Sequence, residues 1–400
     1  MLTPYARNAL VLGLLAAIGP FAIDMYLPAL PTIAADLNTT TAATQMTLMA
    51  FFVAFGLCQI VYGPMSDMVG RKPPLYFGLA VFALGTLGCG LAPSIEALIG
   101  FRVIQGIGAS AVMVIPRAII RDLHTGLEAT RLMSLVMLVL SVSPILAPLI
   151  GSALIVPFGW RSVFFAVTAV TAATFALVLL YLPETRPPHE RVRVGLGSVA
   201  SSFIMLLRHR SFLGLTFIGG LGMASFFAFL ASSSFVYIDH FGLTPTQYSL
   251  AFSVNAVGFI GASQLAATLG ERFGMARVIT VAVALYAAFA VLLLAVTLAG
   301  ADSLPVLMAL LFVAFAFLGL VVPTTMVLAL EEHGPVAGMA SALGGTLQMI
   351  LGGAVIVIGS LFFDGTPRPM IATIALLAIM ALGLTWLTLG RPSPAVQAAE

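Results

Sequence analysis

The sequence predicts an all-α membrane protein whose twelve transmembrane helices form two six-helix pseudo-repeats, with both termini cytoplasmic. Three observations carry that expectation: an extreme composition, twelve apolar runs of spanning length, and a pattern of runs and motifs that occurs twice. Hydrophobic residues make up 60% of the 400 and charged residues 8%, and the mean hydropathy is +1.12. A soluble domain is typically about 25% charged. A span takes about 20 apolar residues, so twelve use roughly 240 and leave short connections. No length remains for a folded domain outside the membrane, nor for one that hydrolyses ATP.

The apolar runs lie at 8–30, 45–62, 74–91, 95–115, 132–156 and 163–182, and then at 212–238, 247–269, 278–298, 304–330, 335–363 and 370–389. Charge, Pro or Gly clusters bound each one. The first resembles a signal peptide, with Arg7, an apolar core from Leu10 and small residues at 16–19. Its apolar run continues past that point, so it reads as a retained span. Between the two sets, 184–210 carries five arginines and Pro187-Pro188 and is the only long connection. Residues 1–183 and 211–400 are thus expected as two six-helix bundles joined by a linker at 184–210.

Orientation follows from Lys and Arg in the loops. Alternate loops hold Arg7, then Arg71 and Lys72, then Arg117, Arg121 and Arg131. The same side continues with Arg186, Arg191, Arg193, Arg208 and Arg210, then Arg272 and Arg277, and finally Arg391. The opposite loops hold only Arg161 and Arg368. Both termini and the linker are therefore expected in the cytoplasm. The linker arginines read as this topology signal or, alternatively, as a site for anionic lipid. Cys58 and Cys89 lie inside apolar runs, without metal-ligand spacing or an expected disulfide.

The halves resemble each other. After the first run of each set, AADLNTTTAATQ (34–45) faces YIDHFGLTPTQ (237–247); after the second, GPMSDMVGRK (63–72) faces TLGERFGMAR (268–277). An acidic residue, two spacers and a glycine recur, from Asp67 to Gly70 and from Glu271 to Gly274. A duplicated six-span unit is a transporter plan. Channels and membrane-embedded enzymes do not require it. Intramembrane catalysis also needs clustered carboxylates or His ligands, whereas His124, His189, His209, His240 and His333 all sit in loops or at span ends.

One carboxylate, Asp24, lies deep in an apolar run, and so does one basic residue, Arg102. A charge at the centre of a span costs roughly 2.5–3.5 kcal/mol on insertion scales, so each is a functional candidate with a partner to be found. At 1.5 Å per residue, Asp24 lies roughly 9 Å and Arg102 roughly 12 Å from the outer ends of their runs. That similar depth would let them pair. The expectation is that Asp24 alternates between a proton and substrate, with Arg102 tuning it; the plainer alternative is an ion pair that fixes helix packing.

The stretch Gly63-Pro-Met-Ser-Asp67-Met-Val-Gly70-Arg71-Lys72 resembles the loop signature of the major facilitator superfamily. Gly63 and Gly70 would allow tight turns and close helix approach. Asp67 would face the positive end of a helix, and Arg71 would pair with Asp122 at the base of the fourth span. The resemblance implies that this cluster locks the cytoplasmic side, with Asp67 meeting span eleven near 334–335. Met68 departs from the family, which usually has a basic residue there, and makes the lock one charge poorer.

Two further stretches narrow the resemblance. LIGFRVIQGIGASA (98–111), built around Arg102, is similar to the fourth-span motif of proton-driven members. SVSPILAPLIG (141–151), with Pro144, Pro148 and Gly151, is similar to the antiporter motif, although Ala147 stands where a glycine usually precedes Pro148. With AIDMYLPALP, the Gly159–Arg161 GWR and GMASALGGTLQ (338–348), they resemble the Bcr/CflA branch of drug:proton antiporters. Some related exporters carry a second carboxylate two turns before Asp24; here Ala16 and Ala17 occupy that region, which implies one embedded proton site.

The resemblance implies a monomeric, multi-pass inner-membrane exporter working by alternating access. Its partners would be protons, membrane lipids and amphiphilic drugs of bicyclomycin or phenicol type, without nucleic acid. It would need no cofactor, being driven by the proton gradient. A proton-coupled carrier of a sugar, amino-acid derivative or siderophore would share every motif. Met49, Phe52, Phe226, Phe227, Asn255 and Gln348 are candidate cavity residues, since aromatic and Met side chains with sparse amides suit varied ligands. Plain packing is the other reading of each.

Overall fold

The computed structural model describes residues 4–123, 126–191 and 196–390. Arg193, Arg391 and His124 lie outside these. In chain order the helices are α1 (Pro4–Asp24), α2 (Leu30–Asp36), α3 (Thr41–Val69), α4 (Lys72–Leu91), α5 (Ile95–Leu123), α6 (Gly126–Phe158), α7 (Arg161–Tyr181) and α8 (Leu196–Arg208). They continue with α9 (Arg210–Ser234), α10 (Pro245–Gln264), α11 (Ala266–Phe273), α12 (Met275–Leu298), α13 (Leu304–Glu331), α14 (Ala337–Phe362) and α15 (Pro367–Leu389). The described residues contain 12 candidate spans by length and composition. In lipid a backbone must satisfy its own polar groups, which is why apolar runs of this length become helices.

Three differences from the sequence reading have physical causes. First, helices outrun their apolar stretches: α3 reaches Val69 and α5 reaches Leu123. Gly63 is therefore not in a turn but within α3, where an added side-chain carbon would meet nothing within 4 Å. Second, 184–210 is not loop throughout, because α8 occupies Leu196–Arg208, burying Leu206 and exposing Ile204, Met205 and Leu207. Third, the first span runs from Arg7 to Asp36 and is broken. Its first part ends at Asp24, one tighter turn covers Leu27–Ala29, and α2 resumes at Leu30. Pro28 and Pro31 have no N–H with which to continue the α-helical ladder.

The chain packs as two compact units. The first comprises Met1–Leu196 with Tyr237–Ser253, the second Gly197–Val236 with Val254–Glu400. In the first, α5 packs against α3 and α4, and α1 packs against α6. The opening turns of α10 belong here. Ser249 Oγ donates to the Pro148 carbonyl and Ser253 Oγ to that of Ile145, each at 2.8 Å. At the ends of α2 and α7, the Asp36 carboxylate accepts from Arg161 Nη1 at 2.6 Å and from Trp160 Nε1 at 2.9 Å.

In the second unit α9 packs against α14 and α15, and α12 against α13 and α15. The internal repeat is visible in the backbone. Gly70 follows α3 with φ +102°, and Gly274 follows α11 with φ +83°, both in the left-handed region that favours glycine. Within this unit Tyr286 Oη and Ser225 Oγ meet at 2.5 Å, and Ser225 passes its own proton to the Gly222 carbonyl at 2.6 Å. Tyr286→Phe removes the donor and leaves the buried hydroxyl one bond short. It should cost about 1 kcal/mol, read as a lower thermal unfolding midpoint of the detergent-solubilised protein.

Candidate functional site

The break in the first span is the centre of the first unit's polar core. Arg102, fully buried in the second turn of α5, sends Nη1 to the Ala22 carbonyl at 3.1 Å and to Gln105 Oε1 at 2.6 Å. Its Nε reaches the Thr47 carbonyl of α3 at 3.3 Å. The carbonyls in the last turn of a helix lack intrahelical partners and carry its negative dipole end, so a guanidinium there satisfies both needs. The Tyr26 and Phe51 rings lie 4.5 and 4.6 Å from the guanidinium carbon, a cation–π arrangement that strengthens when desolvated.

The network extends outward from that charge. Gln105 Nε2 donates to Thr86 Oγ1 of α4 at 2.8 Å, and Thr86 donates to the Phe82 carbonyl. Tyr26 Oη meets Thr47 Oγ1, whose own proton goes to the Thr44 carbonyl; the tyrosine is therefore the donor to Thr47.

Asp24 sits between the two anchor points, residues 22 and 26, and is 6% exposed. It does not pair with Arg102. Among the described residues no hydrogen bond or ion pair reaches its carboxylate. The expected pairing fails because depth fixes height along a span but not the face a side chain takes. The guanidinium directs Nε and Nη1 to two carbonyls and an amide and lies against two rings, while its buried Nη2 makes no hydrogen bond among the described residues. The span also extends to Asp36 rather than residue 30, which puts Asp24 nearer its middle than the run implied.

The antiporter-motif helix meets this same break. A side-chain carbon on Gly151 of α6 would overlap the Met25 carbonyl oxygen. Only glycine lets α6 approach the backbone beside Asp24. Pro144 and Pro148 lie inside α6, and Pro148 and Ile145 are where the serines of α10 attach.

At the other end of the unit Arg71 meets Asp122 and also holds Asp67. Arg71 Nε and Nη2 reach the two oxygens of Asp122 at 2.7 and 3.3 Å, and its Nη1 reaches Asp67 Oδ1 and Ser66 Oγ, each at 2.8 Å. Such a two-toothed guanidinium–carboxylate pair is among the stronger polar contacts. Sequence reasoning missed Glu184. Its carboxylate accepts from the backbone N–H groups of Arg71 at 2.9 Å, Lys72 at 3.1 Å and Arg186 at 2.9 Å. Glu184 thereby caps α4, and an added carbon on Gly70 would lie 2.8 Å from Glu184 Oε2. Partial burial works against this charge, but the N–H groups of Arg186, Arg71 and Lys72 outweigh it and hold the carboxyl below its ordinary value of 4.5.

The candidate cavity residues divide between the units. In the first, Met49 is half-buried and Phe52 is buried edge-on against Phe51 at 5.9 Å. In the second, Phe226 stacks on Phe259 at 5.4 Å and meets Phe315 edge-on at 5.6 Å. Phe227 fills the space beside Gly352 and Asn255 is buried. Gln348 lines a crevice of about 50 Å³ with Thr216 and Thr325.

Twelve candidate spans among the described residues, a broken first span and a buried carboxylate beside the break fit a multi-pass membrane transporter. The chain belongs to the Major Facilitator Superfamily, whose family model matches residues 12–357. It is 36% identical over 349 residues to an uncharacterized transporter of this superfamily, YdgK, from Bacillus subtilis (strain 168), covering 87% of each chain. It is 30% identical over 384 residues to a bicyclomycin resistance protein homolog of Haemophilus influenzae, covering 95% of each. It is also 30% identical over 382 residues to a chloramphenicol resistance protein of Pseudomonas aeruginosa, covering 93% of this chain and 87% of that one. These relatives bear out the resemblance to the drug:proton antiporter branch. In fold it matches a bacterial homolog of the human lysosomal transporter Spinster, with TM-score 0.77 at 16% identity over 98% of this chain and 100% of that one.

Two outcomes follow from this geometry. Gly151→Ala should force α6 off the Met25 backbone at about 1–3 kcal/mol; transport by reconstituted protein should fall while membrane insertion, read by immunoblot, persists. Because the Glu184 carboxyl is held low, its stabilisation is present above 4.5 and is lost as pH falls through the lowered value. Amide hydrogen exchange at Arg71, Lys72 and Arg186, corrected for the intrinsic rate at each pH, should therefore lose protection at the acid end. Glu184→Gln should remove that pH dependence.

Proposed function

We propose that the protein is a proton-coupled exporter of small amphiphilic drugs, of bicyclomycin or phenicol type, working by alternating access across the inner membrane. The observation that carries this reading is the isolation of Asp24: a buried carboxylate with no hydrogen bond or ion pair among the described residues, at a helix break. An uncompensated ionisable group in apolar surroundings is where gaining or losing a proton changes the local free energy most. Broken spans with their backbone near a charge are also a recurrent device of secondary transporters. Arg102 fixes the break, so protonation of Asp24 acts on a stationary frame.

In this cycle the proton gradient is the only energy source and no cofactor takes part. The arginine-rich loops support a cytoplasmic location for both termini and the 184–210 linker, and in this reading the Arg71 cluster acts as the lock on that side. The working unit is a monomer in contact with membrane lipid. The named resistance relatives supply the substrate class. Inverted vesicles loaded by an imposed proton gradient test the reading. Wild-type protein should accumulate bicyclomycin or chloramphenicol, and Asp24→Asn should reduce accumulation to that of empty vesicles while still inserting. Export by Asp24→Asn at the wild-type rate would overturn the mechanism, and accumulation of a sugar or amino-acid derivative in place of either drug would overturn the substrate class.

A further inference from the structure

We propose that a groove on the second unit, formed by α11, α12 and α13, holds one anionic phospholipid, with its phosphate on Arg277 and an acyl chain along the apolar floor. The groove has a volume of about 420 Å³, within the roughly 300–1,000 Å³ of small-molecule sites. Leu269, Phe273, Val281, Phe317 and Leu320 line it, with Ala282 buried at its floor. The groove exists because span eight is interrupted. The Leu265 N–H bonds back to Ala262, and the short α11 then ends at Gly274. In its altered course α11 packs on α12 and α13.

The groove opens outward. Phe273 and Val281 are each 50% exposed, and in a membrane-spanning unit the surrounding solvent is lipid, so an apolar trough there takes a hydrocarbon chain. The trough also carries charge. Arg277 lines it, is exposed, and makes no hydrogen bond or ion pair among the described residues. Helix stability does not account for it, since Arg277 stands in the first turn of α12, where the helix dipole disfavours a cation. Arg272 lies against the Phe273 ring at 5.2 Å, adding a second positive charge beside the one exposed carboxylate of this turn, Glu271. A basic mouth on an apolar groove at the cytoplasmic end of spans is the chemistry of an anionic headgroup site. Its assignment to the inner leaflet rests on the topology proposed above; the binding chemistry does not.

Titration of the detergent-solubilised full chain with phosphatidylglycerol, and separately with phosphatidylethanolamine, tests this by native mass spectrometry. The wild type should bind the anionic lipid in preference. Arg277→Gln should weaken phosphatidylglycerol about fivefold, the worth of one arginine near a charged membrane surface, and leave phosphatidylethanolamine unchanged. Val281→Trp, at a half-exposed position, should fill the groove and weaken both. Equal binding of the two lipids by wild type, or unchanged phosphatidylglycerol binding in either variant, would overturn the site. So would displacement of the lipid by chloramphenicol, which would make the groove a drug site, or its loss on forming a dimer of this chain. Arg277→Cys, with Cys58 and Cys89 replaced by Ser, tests the leaflet independently. Labelling by an impermeant maleimide only in inverted vesicles supports the inner leaflet, whereas labelling of intact cells overturns the topology alone.

Discussion

The first unit is assembled around one buried cation. A guanidinium loses several kcal/mol of hydration on entering a protein interior, and Arg102 offsets part of it through contacts with α1, α3 and the Tyr26 ring between α1 and α2, its Nη2 making no hydrogen bond among the described residues. The Ala22 carbonyl ends α1, the Thr47 carbonyl and the Phe51 ring come from α3, and Gln105 links onward to Thr86 in α4. Because these contacts are simultaneous, the position of the break in the first span is fixed to within hydrogen-bonding tolerance. The close passage of Gly151 over Met25 then fixes α6 to the same point. Asp24 is held by its backbone neighbours and left without a side-chain partner.

The two repeats use one backbone device for different ends. Both second spans finish at a left-handed glycine, Gly70 or Gly274, three residues after an acidic residue. In the first unit the turn is saturated with polar contacts: Arg71 bridges Asp67 and Asp122, and Glu184 ties the start of α4 to the beginning of the linker. In the second unit Glu271 and Arg277 make no such pairs among the described residues, and the span before the turn is interrupted. Duplication preserved the turn, which depends on local φ, and released the side chains, which depend on partners.

Much of the fold was legible because spanning length and hydropathy are properties of contiguous residues. The Arg71–Asp122 pair was legible too, since two polar ends of adjacent helices have few other places to go. The Asp24–Arg102 relation was not, because counting residues from a run's end gives depth without direction, and the first run continued past its apparent end through Pro28 and Pro31. Glu184 escaped notice because a lone glutamate after a span has no periodicity to mark its target; its signal was only its place, directly before the arginine-rich linker. For α8 the signal existed in the apolar spacing of Val199, Phe203 and Leu206, but the arginines on either side dominated the reading. Phe226 and Phe227 were legible as aromatic, yet only the fold shows them meeting Phe259 and Gly352.

Fixing Arg102 without neutralising it has an electrical consequence. The guanidinium keeps its charge at any physiological pH, so the polar core of the first unit holds a permanent positive charge that no carboxylate cancels by contact. If Asp24 exchanges a proton, the pair together alternates between net positive and net neutral, and one elementary charge is worth about 2.3 kcal/mol per 100 mV of membrane potential. The proton-loaded and proton-free carriers would then respond differently to voltage even at equal pH on the two sides. The same transporter would draw on the electrical part of the proton-motive force as well as the chemical part.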